Sequence, residues 1–206
     1  MWRVLYNILI MAVSPVVVAI LLVKQRCRRG LLFRLGLRVT PLSDPGRPTR
    51  SVIWVHAVSL GEVVAVTPLV KELHRRHPDH TILVSTVTET GREAVEQRLA
   101  GIAEHRYAPL DFPWAVSRTV ARWRPALYLF VETELWPNLL WQLHDRDVPT
   151  VLVNGRLSSR SFARQHVRGL LSFYRSVLRT VTLCLMQSER DAERIVALGE
   201  IGRAHV

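Results

Sequence analysis

The chain has 206 residues, 49% of them hydrophobic, which is enough for a membrane segment plus one globular domain with a real core. Its two cysteines, Cys27 and Cys184, are too sparse for a disulfide framework, in agreement with a reducing cytoplasm. The formal net charge of +11 is carried almost wholly by arginine, the only lysines being Lys24 and Lys71, and suits anionic partners; where the charge lies decides which.

From Val4 to Val23 the sequence is uncharged for 20 residues, about the length that crosses the ~30 Å core of a bilayer. Residues 1–23 therefore read as a membrane-anchor helix, with Ser14 and Pro15 predicting a kink and a bent or shallow insertion as an alternative to a straight span. Lys24, Arg26, Arg28, Arg29, Arg34 and Arg38 follow at once. Basic charge there argues for a cytoplasmic C-terminal side and for contact with anionic headgroups rather than nucleic acid, for which no aromatic-basic recognition motif is present. Residues 24–50 form a basic juxtamembrane segment that ends in the Pro- and Gly-rich linker Thr40 to Arg50.

Beyond the linker, short β-rich runs alternate with amphipathic helical runs, the pattern of a parallel sheet with crossover helices. Strands are predicted near 51–57, 80–86, 104–110, 126–132, 149–155 and 182–188. Helices are predicted near 62–76, 91–100, 115–123, 137–146, 160–179 and 189–198. The fold class is α/β, with one Rossmann-like domain over 51–199.

Four junctions of this domain carry polar groups. The first is His56-Ala57-Val58-Ser59-Leu60-Gly61-Glu62. A carboxylate at a strand-to-helix junction suits a catalytic base, yet Ser59-x-x-Glu62 is also a capping box, and on spacing alone the capping role takes precedence. The second, Ser85 to Gly91, places Thr86 and Thr88 where exposed amides and hydroxyls suit a phosphate, although Thr90-x-x-Glu93 is again a capping box. In the third, Glu132-Thr133-Glu134-Leu135-Trp136-Pro137-Asn138, both acids face one way at strand spacing, and one of them is expected to cap the helix that starts at Pro137. The fourth, Asn154-Gly155-Arg156-Leu157-Ser158-Ser159-Arg160-Ser161, offers a guanidinium for a carboxylate or phosphate. His74 and His77 lie among basic residues and read as a solvated helix face, so no metal ligands are expected. No glycine-rich dinucleotide or P-loop motif is present.

Read in order, HAVSLGE, STVTETG, ETELWPN and NGRLSSRS resemble the bacterial 3-deoxy-D-manno-octulosonic acid (Kdo) transferases of lipopolysaccharide synthesis, from Met1 to Gly199. The spacing of about 70 residues between HAVSLGE and ETELWPN makes the match specific. The sequence departs at Gly155, where the family more often has alanine. The resemblance implies a membrane-associated inverting glycosyltransferase of the GT-B class, moving Kdo from CMP-Kdo to a hydroxyl of the lipid A precursor (lipid IVA), with no cofactor and no metal. It implies Glu62 as proton acceptor and Glu132 as transition-state stabiliser, with Ser59, Gly61, Thr86, Thr88, Glu134 and Arg156 as substrate-binding candidates. The implied partners are the lipid A precursor, anionic inner-membrane lipids and CMP-Kdo, but no nucleic acid; the implied location is the cytoplasmic face of the bacterial inner membrane. The C-terminal GT-B domain that holds the donor is expected to be missing. Residues 200–206, EIGRAHV, can be back-translated as GAGATCGGAAGAGCACACGTC, which looks like sequencing-adapter read-through, so a non-native tail on a truncated, inactive fragment is expected. The alternative function is a non-catalytic membrane-associated module that binds phospholipid or lipid A.

Overall fold

Every residue of β1 (Val52–His56) is buried, because its alternate side chains enter two different cores. Val52 and Trp54 point to one, Ile53 and Val55 to the other. The computed structural model describes residues 1–23, 30–42, 51–165, 167–199 and 204–206. After α1 (Trp2–Val23) and α2 (Leu31–Arg34) come β1, α3 (Leu60–Arg76), β2 (Thr81–Thr86), α4 (Glu89–Arg98), β3 (Glu104–Tyr107) and α5 (Pro113–Trp123). Then follow β4 (Pro125–Val131), α6 (Pro137–His144), β5 (Thr150–Gly155), α7 (Ser159–Gln165), α8 (Arg168–Leu178), β6 (Leu183–Met186), α9 (Glu189–Ala197) and β7 (Ala204–His205).

The strands pair in the order β3-β2-β1-β4-β5-β6-β7, all parallel. All six predicted strands are present, and β7 adds a short edge in residues the sequence marks as tail. The predicted helix over 160–179 is two helices, because Val167 is extended (ψ 132) between α7 and α8. Gly169 is the only glycine or proline in that stretch and gives no sign of where the break falls.

The packing density of the centre is set by aromatic rings. Trp54 is fully buried, edge-on to Trp123 and to Tyr128 with centroids 4.9 Å away in each case. Such pairs are worth about 0.5–1.5 kcal/mol beyond their buried area. The indole N–H donates to Ser85 Oγ at 2.7 Å, so burying it leaves no donor unpaired.

The first helix is long and apolar enough to cross a membrane. It runs through Pro15, the site of the predicted kink, as one helix. Proline lacks the N–H that would reach the Met11 carbonyl, and the Ser14 hydroxyl donates to that carbonyl instead, at 2.8 Å. The helix also rests on the domain. Trp2 Nε1 donates to Ser172 Oγ at 2.8 Å, Arg3 pairs with Asp145 at 2.6 Å, and the Tyr6 hydroxyl donates to Asp111 Oδ2 at 2.8 Å. Of the basic run, Lys24 to Arg29 lie outside the described residues. Arg38 is exposed, but Arg34 is buried and does not reach a membrane surface. It donates to the Val87 carbonyl at 2.6 Å and lies over the Tyr107 ring, so its charge is absorbed inside the domain.

Helix α6 is capped from a distance. Its N-cap residue, Trp136, offers no side-chain bond, and Pro137 occupies the first turn as predicted. Asp111, in the loop after β3, accepts from the Asn138 and Leu139 amides at 3.0 Å each, while its own carbonyl accepts from Asn138 Nδ2 at 2.7 Å. Burial pushes this carboxyl from 3.8 up to about 7, against the pull of the Asn138 amide, the Tyr6 hydroxyl and the Leu139 amide. A folded value above the unfolded one favours the protonated folded state. That contribution is full below about pH 4 and declines as pH rises to about 7. Replacing Asp111 by Ala is expected to cost about 2 kcal/mol in urea unfolding of the detergent-solubilised protein. In Asp111→Asn the decline of stability between about pH 4 and 7 should disappear, a slope that thermal unfolding across that range measures.

Candidate active site

In this sheet β1 and β4 are neighbours, and their following helices leave toward opposite faces: α3 packs on the Ile53 side, α6 on the Trp54 side. Their carboxyl ends therefore open a crevice at the switch in winding, the place where open parallel sheets bind ligands. HAVSLGE leaves β1 into that crevice and ETELWPN leaves β4 into it. STVTETG and NGRLSSRS, at the ends of β2 and β5, flank them.

Ser59 is the N-cap of α3 and Glu62 its third helical residue, the positions of a capping box, but the box does not form. The Ser59 hydroxyl makes no cap bond to the helix. It donates instead to Glu62 Oε1 at 2.9 Å, while the Val58 amide donates to Oε2 at 2.8 Å. The hydroxyl thus serves the carboxylate rather than the helix end. The predicted exchange of caps is corrected: both groups orient Glu62. Its carboxyl lies above the ordinary value of 4.5, first because burial penalises the charge. The Val58 and Ser59 bonds pull it down, and the charges of Glu132 and Glu134 push it up. A buried carboxyl with two fixed donors and two acidic neighbours is held in one orientation with a raised affinity for a proton.

Glu132 and Glu134 differ from the sequence expectation. Strand β4 stops at Val131, so the alternation that would align the two acids does not apply. Glu132 adopts a left-handed backbone (φ 55), a conformation that costs a residue with a long side chain of order 1–3 kcal/mol. Both side chains are exposed, and neither caps α6, because Asp111 does so. Next to them Trp136 packs edge-to-face with His56, ring centroids 5.6 Å apart. His56 is almost wholly buried, shares Ser85 Oγ with Trp54 at 2.9 Å, and is held down to about 4 by burial, so it is neutral at pH 7. His56 and Trp136 thus join the two central loops through a ring contact. His56 and Trp136 stand inside the motifs, but their contact, like the cap by Asp111, is not legible in the sequence, since each acts on a partner distant in the chain.

The remaining candidates divide. Thr86 is fully buried, bonded through Oγ1 to His105 Nε2 and the Thr88 carbonyl. Thr88, and not Thr90, is the N-cap of α4: its Oγ1 accepts from the Gly91 amide at 3.1 Å and donates to the Val58 carbonyl at 3.2 Å. These two hydroxyls thus serve the domain, and Thr88 anchors the loop that holds Glu62. Arg156 is exposed at the same edge, and its carbonyl accepts from the Thr133 hydroxyl, which ties the β4 and β5 loops together. At Gly155 an added Cβ would meet Met186 Sδ at 2.5 Å, so alanine at this position requires that flexible side chain to shift. Gly61 is exposed, and an added Cβ would find only Ser59 Oγ, at 4.0 Å. The protein's own packing does not require that glycine.

Comparison with known proteins now bears on this crevice. Residues 30–206 match the family model described as 3-deoxy-D-manno-octulosonic-acid transferase (kdotransferase). The chain belongs to the Kdo transferase family. It is 35% identical over 204 residues to the 3-deoxy-D-manno-octulosonic acid transferase of Haemophilus influenzae, covering 97% of this chain and 46% of that protein. It is 34% identical over 150 residues to the enzyme of the same name from Rickettsia felis, covering 73% of this chain and 32% of that protein. The chain spans about half the length of the first of these relatives and less of the second. The UDP-GlcNAc 2-epimerase of Neisseria meningitidis aligns with a TM-score of 0.52 at 11% identity, over 76% of this chain and 46% of that one, a likeness of fold alone. Within this Kdo transferase domain, Gly61→Ala is expected to raise the unfolding free energy by about 0.4–1 kcal/mol. A lower thermal midpoint would show that a protein contact does require the glycine.

Proposed function

We propose that the complete protein is an inverting glycosyltransferase that moves Kdo from CMP-Kdo to a hydroxyl of the lipid A precursor, with Glu62 as general base. The observation that supports this is the Glu62 carboxylate, fixed by the Val58 amide and the Ser59 hydroxyl at the mouth of the crevice and shifted toward greater basicity by burial. In the proposed step the acceptor oxygen forms a bond to the anomeric carbon of Kdo and gives its proton to Glu62. The bond from that carbon to the CMP phosphate breaks, and its electron pair leaves with CMP. Positive charge on the sugar ring is favoured by Glu132, whose left-handed backbone turns it out of the strand at the same crevice. Donor binding is assigned to a second domain outside this chain. Helix α1, long and apolar enough to cross a membrane, supports assigning the crevice to the cytoplasmic face of the inner membrane, within reach of an acylated acceptor.

The deciding measurement is transfer of radiolabelled Kdo from CMP-Kdo to lipid A precursor by the full-length protein. Glu62→Gln retains the shape and one acceptor oxygen for the Val58 amide, and is expected to lower kcat by roughly 10²–10⁴-fold. Its thermal midpoint is expected to stay near that of the parent. Equal loss of activity and stability would make Glu62 a structural residue. Retained acceptor binding with no transfer in the parent would favour a non-catalytic lipid-binding module. Because the Glu62 carboxyl is raised and must be ionised to accept a proton, the acid limb of the kcat/KM profile is expected above the ordinary glutamate value of 4.5.

A further inference from the structure

Helix α1 is more closely fitted to the domain than a tether needs to be. Three directed polar contacts, from Trp2, Arg3 and Tyr6, hold its N-terminal half in place. Tyr6 also packs against the rings of Trp141 and Phe173, with centroids 5.8 and 5.7 Å away. The fixed helix forms one wall of an apolar slot. Tyr6, Ile10 and Val17 line it on one side, and Leu135, Trp136 and Pro137 on the other, around a cavity of about 250 Å³. At helical rise the α1 side of the slot is about 16 Å long. A second cavity of about 190 Å³ shares Tyr6, Leu135 and Pro137 and continues the slot toward Phe173.

Its chemistry selects the occupant. In the larger cavity the Tyr6 hydroxyl and the Asp111 carboxylate bond each other, so a polar ligand gains little there. A long, narrow apolar slot suits an alkyl chain. The outer face of the same helix exposes Leu9, Val13, Val16 and Ile20, a contiguous apolar strip that only lipid covers at low cost. The helix that walls the slot thus also presents an apolar outer face. The wall opposite α1 leads toward the acids: Leu135 and Trp136 directly follow Glu134, whose charge acts on Glu62. A molecule that fills the slot and reaches those acids has an alkyl chain and a polar head.

We infer that the slot between α1 and the Leu135-Trp136-Pro137 corner holds one acyl chain of the acceptor, positioning its sugar head beside Glu62 and Glu132. This inference rests on the proposal that the acceptor is an acylated lipid. It gives α1 a role in substrate binding in addition to attachment.

The test uses the full chain in mixed micelles with a tetraacylated lipid A precursor that carries a diazirine at the end of one acyl chain. After photolysis, peptide mapping is expected to find the label on α1 around Ile10 and Val17 and on Leu135 to Pro137, with protection by excess unlabelled precursor. Ile10→Trp, which fills the slot, should weaken precursor binding about tenfold or more while leaving binding of the deacylated disaccharide bisphosphate unchanged. Val17→Trp provides the same test should Ile10→Trp unfold, with circular dichroism reporting the fold. Label spread outside the slot, equal weakening of both ligands, or equal protection by phosphatidylethanolamine would overturn the inference while leaving the acceptor reading standing. Failure of both the acylated and the deacylated compound to bind the parent chain would overturn the acceptor reading and the inference with it.

Discussion

Where β1 pairs with β4, the following helices depart to opposite faces of the sheet, and the loops carrying Glu62 and Glu132 are forced to meet in one crevice. Acidic groups crowded at one edge repel, and the protein offsets this locally. Glu62 receives a backbone amide and a hydroxyl from its own loop, while Glu132 and Glu134 remain in contact with water. The consequence is a division among the acids: one is buried, oriented and raised, and two are solvated.

The crevice is supported by contacts that cross from loop to loop. Val58, at the root of the Glu62 loop, has its carbonyl bonded by the Val87 and Thr88 amides and by the Thr88 hydroxyl. His56 packs on Trp136, and Thr133 reaches the Arg156 carbonyl. The four motifs thus act as one body. Asp111 extends that body to helix α1, because the carboxylate that caps α6 is also the acceptor for Tyr6. A group buried at this depth is tolerated because three donors meet it, and it links α1 to the loop that bears Glu132 and Glu134.

Much of this was legible in the residues. The alternation of apolar runs specified the strands, Pro137 marked the start of α6, and the order and spacing of the motifs pointed to the family that the comparisons show. The misreadings share one cause. Local spacing offers Ser59-x-x-Glu62 as a cap of α3 and an acid after β4 as a cap of α6, because it shows only the nearest partner. In the folded chain Ser59 donates to Glu62, and α6 is capped by a residue from a different loop. Arg34 likewise belongs to a basic run in sequence and to the Val87 carbonyl and Tyr107 ring in space.

The sequence by itself determined the parallel α/β architecture, the apolar first helix and the identity of the acids at the sheet edge, since these depend on periodicity and on residue type at short range. Tertiary structure alone decided which acid is buried, what caps α6, and that α1 lies against the domain as the wall of a slot. Those outcomes depend on donors and apolar surfaces from distant segments meeting at one place, and the protonation energy of a carboxyl is set by that meeting rather than by its neighbours in the chain.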